Sequence, residues 1–318
     1  MPPPPERPIY VPPFGLMRTP ELIEGTRLHS EGARAVLDLS HIPFVRPSLL
    51  VLVRAYADVL STGEPRMKIP ARPVVARPPK RQQVRRYMET MHLVPGSKQA
   101  EEAAGRRYLP LEGLEPQSDT DAPAQRLEEI ILEQLPAGRD RLGIGRALTT
   151  TFGELFENFA RHADSARPAW VCAQYYAEHR YREDSRKRVR DPAIEIAVVD
   201  TGIGIERSLR VVPEYASKMK DGANPCTLAA QLGVTSKPWA HSGYGLFVAR
   251  RLCERNHRGV FVLVSGRHWH RFSRGATLTG ELSAFWPGTF VGMRLSLRGE
   301  IDVNRVYEEM PPHPALEP

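Results

Sequence analysis

Glu154, Asn158 and His162 recur at intervals of four within the string ELFENFARH, with Arg161 adjacent. On a helix that spacing sets a carboxylate, a carboxamide and an imidazole along one face. Such a line could polarise a water, hold a hydrated magnesium ion and meet phosphate oxygens; alone, it equally describes a solvated helix face. Asp200, Gly202 and Gly204 follow directly on the apolar run Ile194 to Val199. A carboxylate at a strand end accepts an exocyclic N–H, and glycines behind it let the backbone pass close to a planar ligand. Gly243 and Gly245, in SGYGL, open an apolar-periodic stretch from Tyr244 to Asn256. Glycines at a helix N-terminus leave outward N–H groups that favour an anion. This pair is not the dinucleotide fingerprint, because Val248 stands where a third glycine belongs and no strand–helix–strand unit precedes it; the chain also lacks a Walker A sequence. A fourth island, Pro287-Gly288-Thr289, starts the last apolar strand.

The elements that must position these islands lie in a well-patterned segment, 125–300. Gln125 to Leu135 reads as a helix with Leu127, Ile130, Ile131 and Leu135 on one face, and Gly145 to His162 as a second with Leu148, Phe152, Leu155, Phe156 and Phe159. Strands are expected at Trp170–Tyr176, Ile194–Val199, Val260–Val264 and Thr289–Leu297, with the charged stretch Arg180 to Arg190 as a hairpin tip. Residues 206–242 read as a long polar connection. Helices interleaved with antiparallel-looking strands argue for an α+β class. An earlier segment, 14–111, carries a strand at Ala35–Leu39, an apolar helix from Ser48 to Leu60, a weak strand at Val74–Val75 and an amphipathic helix from Gln82 to Leu93. Glu, Asp, Pro, Ser and Thr fill residues 112–124, which read as a linker; proline-rich residues 1–13 and the residues 301–318 read as tails.

Order and spacing tie the islands together: Asn158 to Asp200 is 42 residues, Asp200 to Gly243 is 43, and Gly245 to Thr289 is 44. The chain closely resembles the GHKL superfamily of ATP-binding domains, over about 165 residues from the helix near 130 to the strand ending near 297. The resemblance implies a two-layer α/β sandwich of the Bergerat type. It also implies a role for each island. Asp200 would accept the adenine amino group, with Thr289 sharing a bridging water, and Gly202 and Gly204 would pass under the purine. Asn158 would coordinate Mg²⁺. Arg161 and His162 would lie beside the phosphates, Gly243 and Gly245 would present N–H groups to them, and residues 206–242, with Lys237 as a cation, would form a lid over ATP. Glu154 would be the general base, towards water in an ATPase or towards a serine in a kinase. The E-x-x-x-N-x-x-x-H string looks most like the anti-sigma-factor serine kinases. The chain departs from histidine kinases in its single G-x-G-L unit and in lacking a phosphoacceptor H box and a dimerising helical hairpin.

Residues 37–50 (LDLSHIPFVRPSLL) are similar to the strand–turn–helix of STAS domains, which implies a small STAS-like α/β domain ahead of the nucleotide-binding one. Arg46 stands at the position where those domains carry an acid, and Ser48 where they carry a phosphorylatable residue; Ser48 also reads as a helix N-cap. Two further readings compete with an ATPase switch or serine/threonine kinase that acts on a protein partner. One is a nucleic-acid-associated ATPase, supported by eight cations without an acid between Arg66 and Arg86. The other is a non-catalytic nucleotide-binding module. The family implies homodimers as an expectation.

Composition narrows the setting. The 318 residues are 41% hydrophobic and 25% charged, too apolar for wholesale disorder, and the net charge of +7 permits nucleic-acid contact without demanding it. Arg54 and Asp58 interrupt the longest apolar stretch, so no membrane span is expected. Prolines occupy the place of a signal-peptide core, and three cysteines without a C-x-x-C pair fit a reducing cytoplasm. His268 and His270 flank Trp269 without matching ligands and read as surface residues.

Overall fold

The computed structural model describes residues 8–12, 15–26, 34–94, 107–115, 120–135, 140–162, 167–177, 179–181, 188–236 and 243–310. Strands β1 (Ile9–Tyr10), β2 (Ala35–Asp38) and β3 (Val74–Arg77) form a parallel sheet in the order β1-β2-β3. Helix α1 (Thr19–Gly25) lies between β1 and β2 in the chain, and helix α2 (Pro47–Thr62) makes the β2-to-β3 crossover that a parallel pair requires. Helix α3 (Gln82–Thr90) follows. The chain then enters a second sheet through β4 (Tyr108–Leu114), passes through α4 (Asp121–Gln134) and α5 (Arg141–His162), and continues into β5 (Ala169–Tyr176). Short strands β6 (His179–Tyr181) and β7 (Arg188–Arg190) pair as a hairpin on the charged stretch, as its composition suggests. Strand β8 (Ala193–Val199) leads to three short helices, α6 (Ile205–Leu209), α7 (Pro213–Lys220) and α8 (Pro225–Ala229). Helix α9 (Gly245–Arg255), strands β9 (Val260–Ser273) and β10 (Ala276–Ser296), and helix α10 (Val303–Glu308) complete the fold. The second sheet is antiparallel throughout, in the order β4-β5-β8-β10-β9.

The alternation of side chains along these strands explains the layering. Ile194, Ile196 and Val198 of β8, with Val291, Met293 and Leu295 of β10, point to one face and pack under α4, α5 and α9. Ala197, Val199, Val262, Val264 and Phe290 point to the other, where they meet α2. Both faces are covered, and the strands accordingly read as almost unbroken apolar runs. Helix α2 is buried nearly all round, from Leu49 to Val53 and again at Ala55, Tyr56, Val59 and Leu60. Only a narrow stripe, Arg54, Ala57, Asp58 and Ser61, reaches solvent, the pattern of a helix covered on most of its circumference. It is held between the parallel sheet and the antiparallel one, so the layers run helices, five-stranded sheet, α2, three-stranded sheet. The two-layer arrangement expected for residues 125–300 is thus half of a thicker molecule.

Structure also occupies segments read as linker or tail. Leu109, Leu111 and Leu114 are buried in β4, so residues 112–114 are strand; Asp121 already begins α4. Ile9 and Val11 are buried in the parallel layer, and Val303 and Val306 anchor α10 in the helical core. In each case a few spaced apolar residues outweigh a polar or proline-rich surround. The lid region 206–242, expected as a loop, is helical at α6, α7 and α8. The strands flanking residues 268–270 are longer than their apolar centres suggest. Gly266 (φ 62°) bends β9 sharply, and the hairpin folds back until the His270 ring lies 6.1 Å from that of Phe261. His270 is therefore buried, not on the surface: its ring bonds Thr227 Oγ1 at 3.2 Å, and burial together with the nearby Arg250 lowers its pKa to about 4. Ser48 is likewise fully buried on the first turn of α2, facing the core. This burial keeps the Ser48 hydroxyl from solvent in this structure, and the N-cap of α2 is Arg46 rather than Ser48.

Candidate functional site

A cleft opens between the helical layer and the ends of the central strands, and it gathers most of the islands read from the sequence. Asn158 of α5, Asp200 after β8, Gly204 at the start of α6, Thr289 of β10, and Gly243 and Gly245 at the start of α9 all line it. Ile205, Leu209, Phe159, Val234 and Leu246 supply an apolar wall. A mostly apolar cleft lined by a single carboxylate, Asp200, has the chemistry to hold a heterocycle with an exocyclic donor.

Asp200 is only 5% exposed. Its Oδ1 accepts the Gly202 N–H at 2.7 Å, which pins the carboxylate, and its own N–H donates to Thr289 O at 2.9 Å. Gly202 thus acts behind the carboxylate rather than on the cleft wall. Burial pushes the Asp200 pKa up to about 7, against the opposing pull of the Gly202 and Thr289 hydrogen bonds and the Arg66 charge. The close approach of strands leaves no room for a side chain at Gly288: a Cβ there would lie 2.3 Å from both the backbone and carboxylate oxygens of Asp200.

Ser265 organises the same corner and was not read from the sequence. Its hydroxyl donates to Gly288 O at 2.8 Å, receives the Ile205 N–H at 2.8 Å, and lies 3.3 Å from Thr289 Oγ1. One buried hydroxyl therefore joins the loop after β8 to the start of the β10 core segment. The available signal was a serine ending the apolar run VFVLVS, at a position where the alternation points inward.

Helix α9 presents its N-terminus to the cleft. Its N-cap residue, Tyr244, makes no side-chain cap bond and its first turn holds no acid, and Gly243 and Gly245 at this end line the cavity. At Gly245 a Cβ would come within 2.9 Å of Asn158 Nδ2, so glycine is what lets α9 approach α5 this closely. Glu154 lies one turn before Asn158 and beside Gly245, at the margin of the cleft rather than among its lining residues. Burial, with the Glu157 carboxylate near it, holds its pKa above the ordinary glutamate value. Arg161 and His162 end α5, but their side chains fall outside the described residues, as does Lys237. Ser208 of α6 and Ser236 bond through their hydroxyls at 2.9 Å, so the described lid segment returns to the cleft at its far end.

The basic stretch 66–86 divides in two. Arg77, Lys80, Arg81, Arg85 and Arg86 are exposed. Arg66 instead reaches across to the site: Nη1 donates to Gly202 O at 2.6 Å and Nη2 to Thr201 O at 3.0 Å, while Nε holds Glu64 Oε1 at 2.8 Å. Glu64 is buried and also pairs with Arg167 at 3.2 Å, whose Nη1 bonds Thr201 Oγ1 at 3.1 Å. The turn after α2 therefore clamps the loop that carries Asp200 from outside the cleft. Neither Arg66 nor Arg167 was legible as a site residue, because the contact joins positions more than a hundred residues apart.

Comparison with family models, curated proteins and solved structures found no match to this chain. Among the described residues no helix is long and apolar enough to cross a membrane, and no cluster of three or more His, Cys, Asp or Glu side chains could hold a metal ion. Cys172, Cys226 and Cys253 are buried free thiols.

Proposed function

We propose that this chain is an ATP-binding regulatory protein of the GHKL type, working with Mg-ATP as an ATPase switch or as a serine/threonine kinase of the anti-sigma kind. The observation that carries the reading is that Asp200, Thr289, Asn158 and the glycines at the start of α9 line one cleft. An antiparallel sheet with helices on one face accords with a Bergerat-type sandwich, and β2–α2–β3 accords with a STAS-like layer. Asp200 would accept the adenine amino group, the apolar wall would hold the ring, and Gly243 and Gly245 would direct N–H groups to the phosphates.

Magnesium fits the donor set: a hard ion that keeps most of its ligands as waters and phosphate oxygens needs only the Asn158 carbonyl oxygen from the protein. Bound there, it would neutralise phosphate charge. Glu154, whose pKa partial burial and the nearby Glu157 carboxylate raise above the ordinary glutamate value, would take the proton from an attacking hydroxyl or water. The buried Ser48 leaves phosphotransfer to a separate protein as the kinase form of the reading.

Incubation with γ-labelled Mg-ATP, resolving free phosphate from labelled protein, tests the reading. Phosphate release or transfer that Asp200→Ala abolishes supports it. Activity that is equal in Asp200→Ala assigns the turnover to a contaminant and removes the proposal's support.

A further inference from the structure

A second cavity, about 750 Å³, lies away from the cleft at Asp200, where the parallel layer meets the first residues of β8, the last of β10 and the tip of the β9–β10 hairpin. Its volume falls within the range of small-molecule sites. Five arginines line it (Arg18, Arg46, Arg258, Arg274 and Arg294) against two carboxylates, Asp191 and Glu195. The arginines come from five separate stretches of the chain, so the concentration of charge is a product of the tertiary structure and is invisible in any one stretch of sequence.

Glu195 is the unusual member. It sits in the middle of β8, fully buried, on the face towards α2. Arg46, the N-cap residue of α2, holds its Oε2 at 3.0 Å, and Arg294 is its register partner on β10. Its Oε1 is buried without a hydrogen-bond partner. Burying an ion pair adds little stability over an apolar pair of the same volume, and leaving a buried carboxylate oxygen unsatisfied is costly. A buried polar cluster left incomplete beside a large cavity is a feature that a ligand completes.

We propose that this cleft is a second ligand site, for a small molecule with a phosphate or carboxylate group and an adjacent hydrogen-bond donor. The anionic group would meet the arginines, whose planar forks suit either oxyanion. The donor would satisfy Glu195 Oε1 once that side chain turns towards the cavity, since the atom is closed off from it in this structure. Because Arg46 belongs to α2 and Arg294 to the antiparallel sheet, one ligand would brace the two layers. This site stands independently of the nucleotide reading.

Calorimetric titration and thermal melting of the full chain, carried out on an Asp200→Asn background, test it with three probes: phosphoethanolamine, ethyl phosphate and glutamate. Phosphoethanolamine is expected to bind once per chain and raise Tm, with ethyl phosphate, which lacks the amine, about tenfold weaker. Glu195→Gln should narrow that preference. Arg294→Gln should weaken phosphoethanolamine by about tenfold or more. Arg274→Asn, at an exposed turn position where φ is 55° and asparagine is tolerated, gives the same test without touching the core. Glutamate binding alone, lost in the same variants, supports the site and assigns it to carboxylates. No binding by any probe, or binding that both arginine variants leave unchanged, overturns the proposal.

Discussion

Asp200 concentrates the chemistry of the cleft in one titration. Its carboxyl has an ordinary value of 3.8 in the unfolded chain and about 7 when buried, so between those values the folded protein binds more protons than the unfolded one. Stability therefore falls as pH rises from about 4 to about 7 and stays at the lower level above. Asp200→Asn removes that penalty while keeping an acceptor for Gly202, and it should raise Tm at pH 8 with little effect at pH 4. Melting curves at the two pH values check this; an equal shift at both would contradict it. The same substitution should abolish ATP binding, a gain in stability at the cost of function. Glu154→Gln should behave oppositely, leaving ATP affinity within a few-fold while lowering turnover by roughly 10²–10⁴. Loss of affinity in that variant would mean that Glu154 holds the ligand rather than a proton. At this scale the sequence was informative, because a carboxylate at a strand end and glycines at a helix start depend only on local geometry. Ser265, Arg66 and Arg167 were not legible, since their roles exist only once distant segments meet.

The clamp made by the turn after α2 belongs to the scale of elements. Arg66 donates two hydrogen bonds to the carbonyls of Thr201 and Gly202, and both would lose their partner in Arg66→Met. Charge-assisted bonds of this kind are worth about 1.5–3 kcal/mol each at most. The loop that orients Asp200 should loosen, and ATP affinity should fall by about tenfold or more. Equilibrium titration of the folded variant measures this, with unchanged affinity contradicting a positioning role. Helices α2, α3, α4, α5 and α9 and the central strands were readable from periodicity to within a few residues: α2 was expected over Ser48–Leu60 and spans Pro47–Thr62, and β8 was expected over Ile194–Val199 and spans Ala193–Val199. The distal half of the β9–β10 hairpin was not readable. Its residues RHWHRFS carry polar side chains because one side stays in solvent, and the bend at Gly266 breaks the alternation that would announce a long strand.

At the scale of the whole molecule, the parallel layer and the antiparallel sheet share a core rather than standing apart. Tyr56 of α2 packs edge-on against Trp286 at 5.2 Å, Trp170 donates to Asp58 at 2.6 Å, and Arg54 stacks over Trp170 at 4.2 Å. Removing residues 1–94 would expose Val199, Val262, Val264 and Phe290 together, a continuous apolar face. The truncated chain should bind hydrophobic dyes strongly and aggregate, which size-exclusion chromatography with dye fluorescence would report; a monodisperse, dye-silent fragment would contradict the shared core. Composition suggested two segments because each has its own run of elements, and no local signal marks α2 as buried by both. A shared core also ties the turn after α2 to the loop that carries Asp200, through the Arg66 hydrogen bonds. The central claim remains that the cleft under α9 takes a nucleotide. Calorimetric titration of Mg-ATP into the wild-type chain and into folded Asp200→Asn tests it most directly. The account predicts one ATP bound per wild-type chain and none detectable in the variant; no binding by the wild type, or equal binding by both, would contradict it.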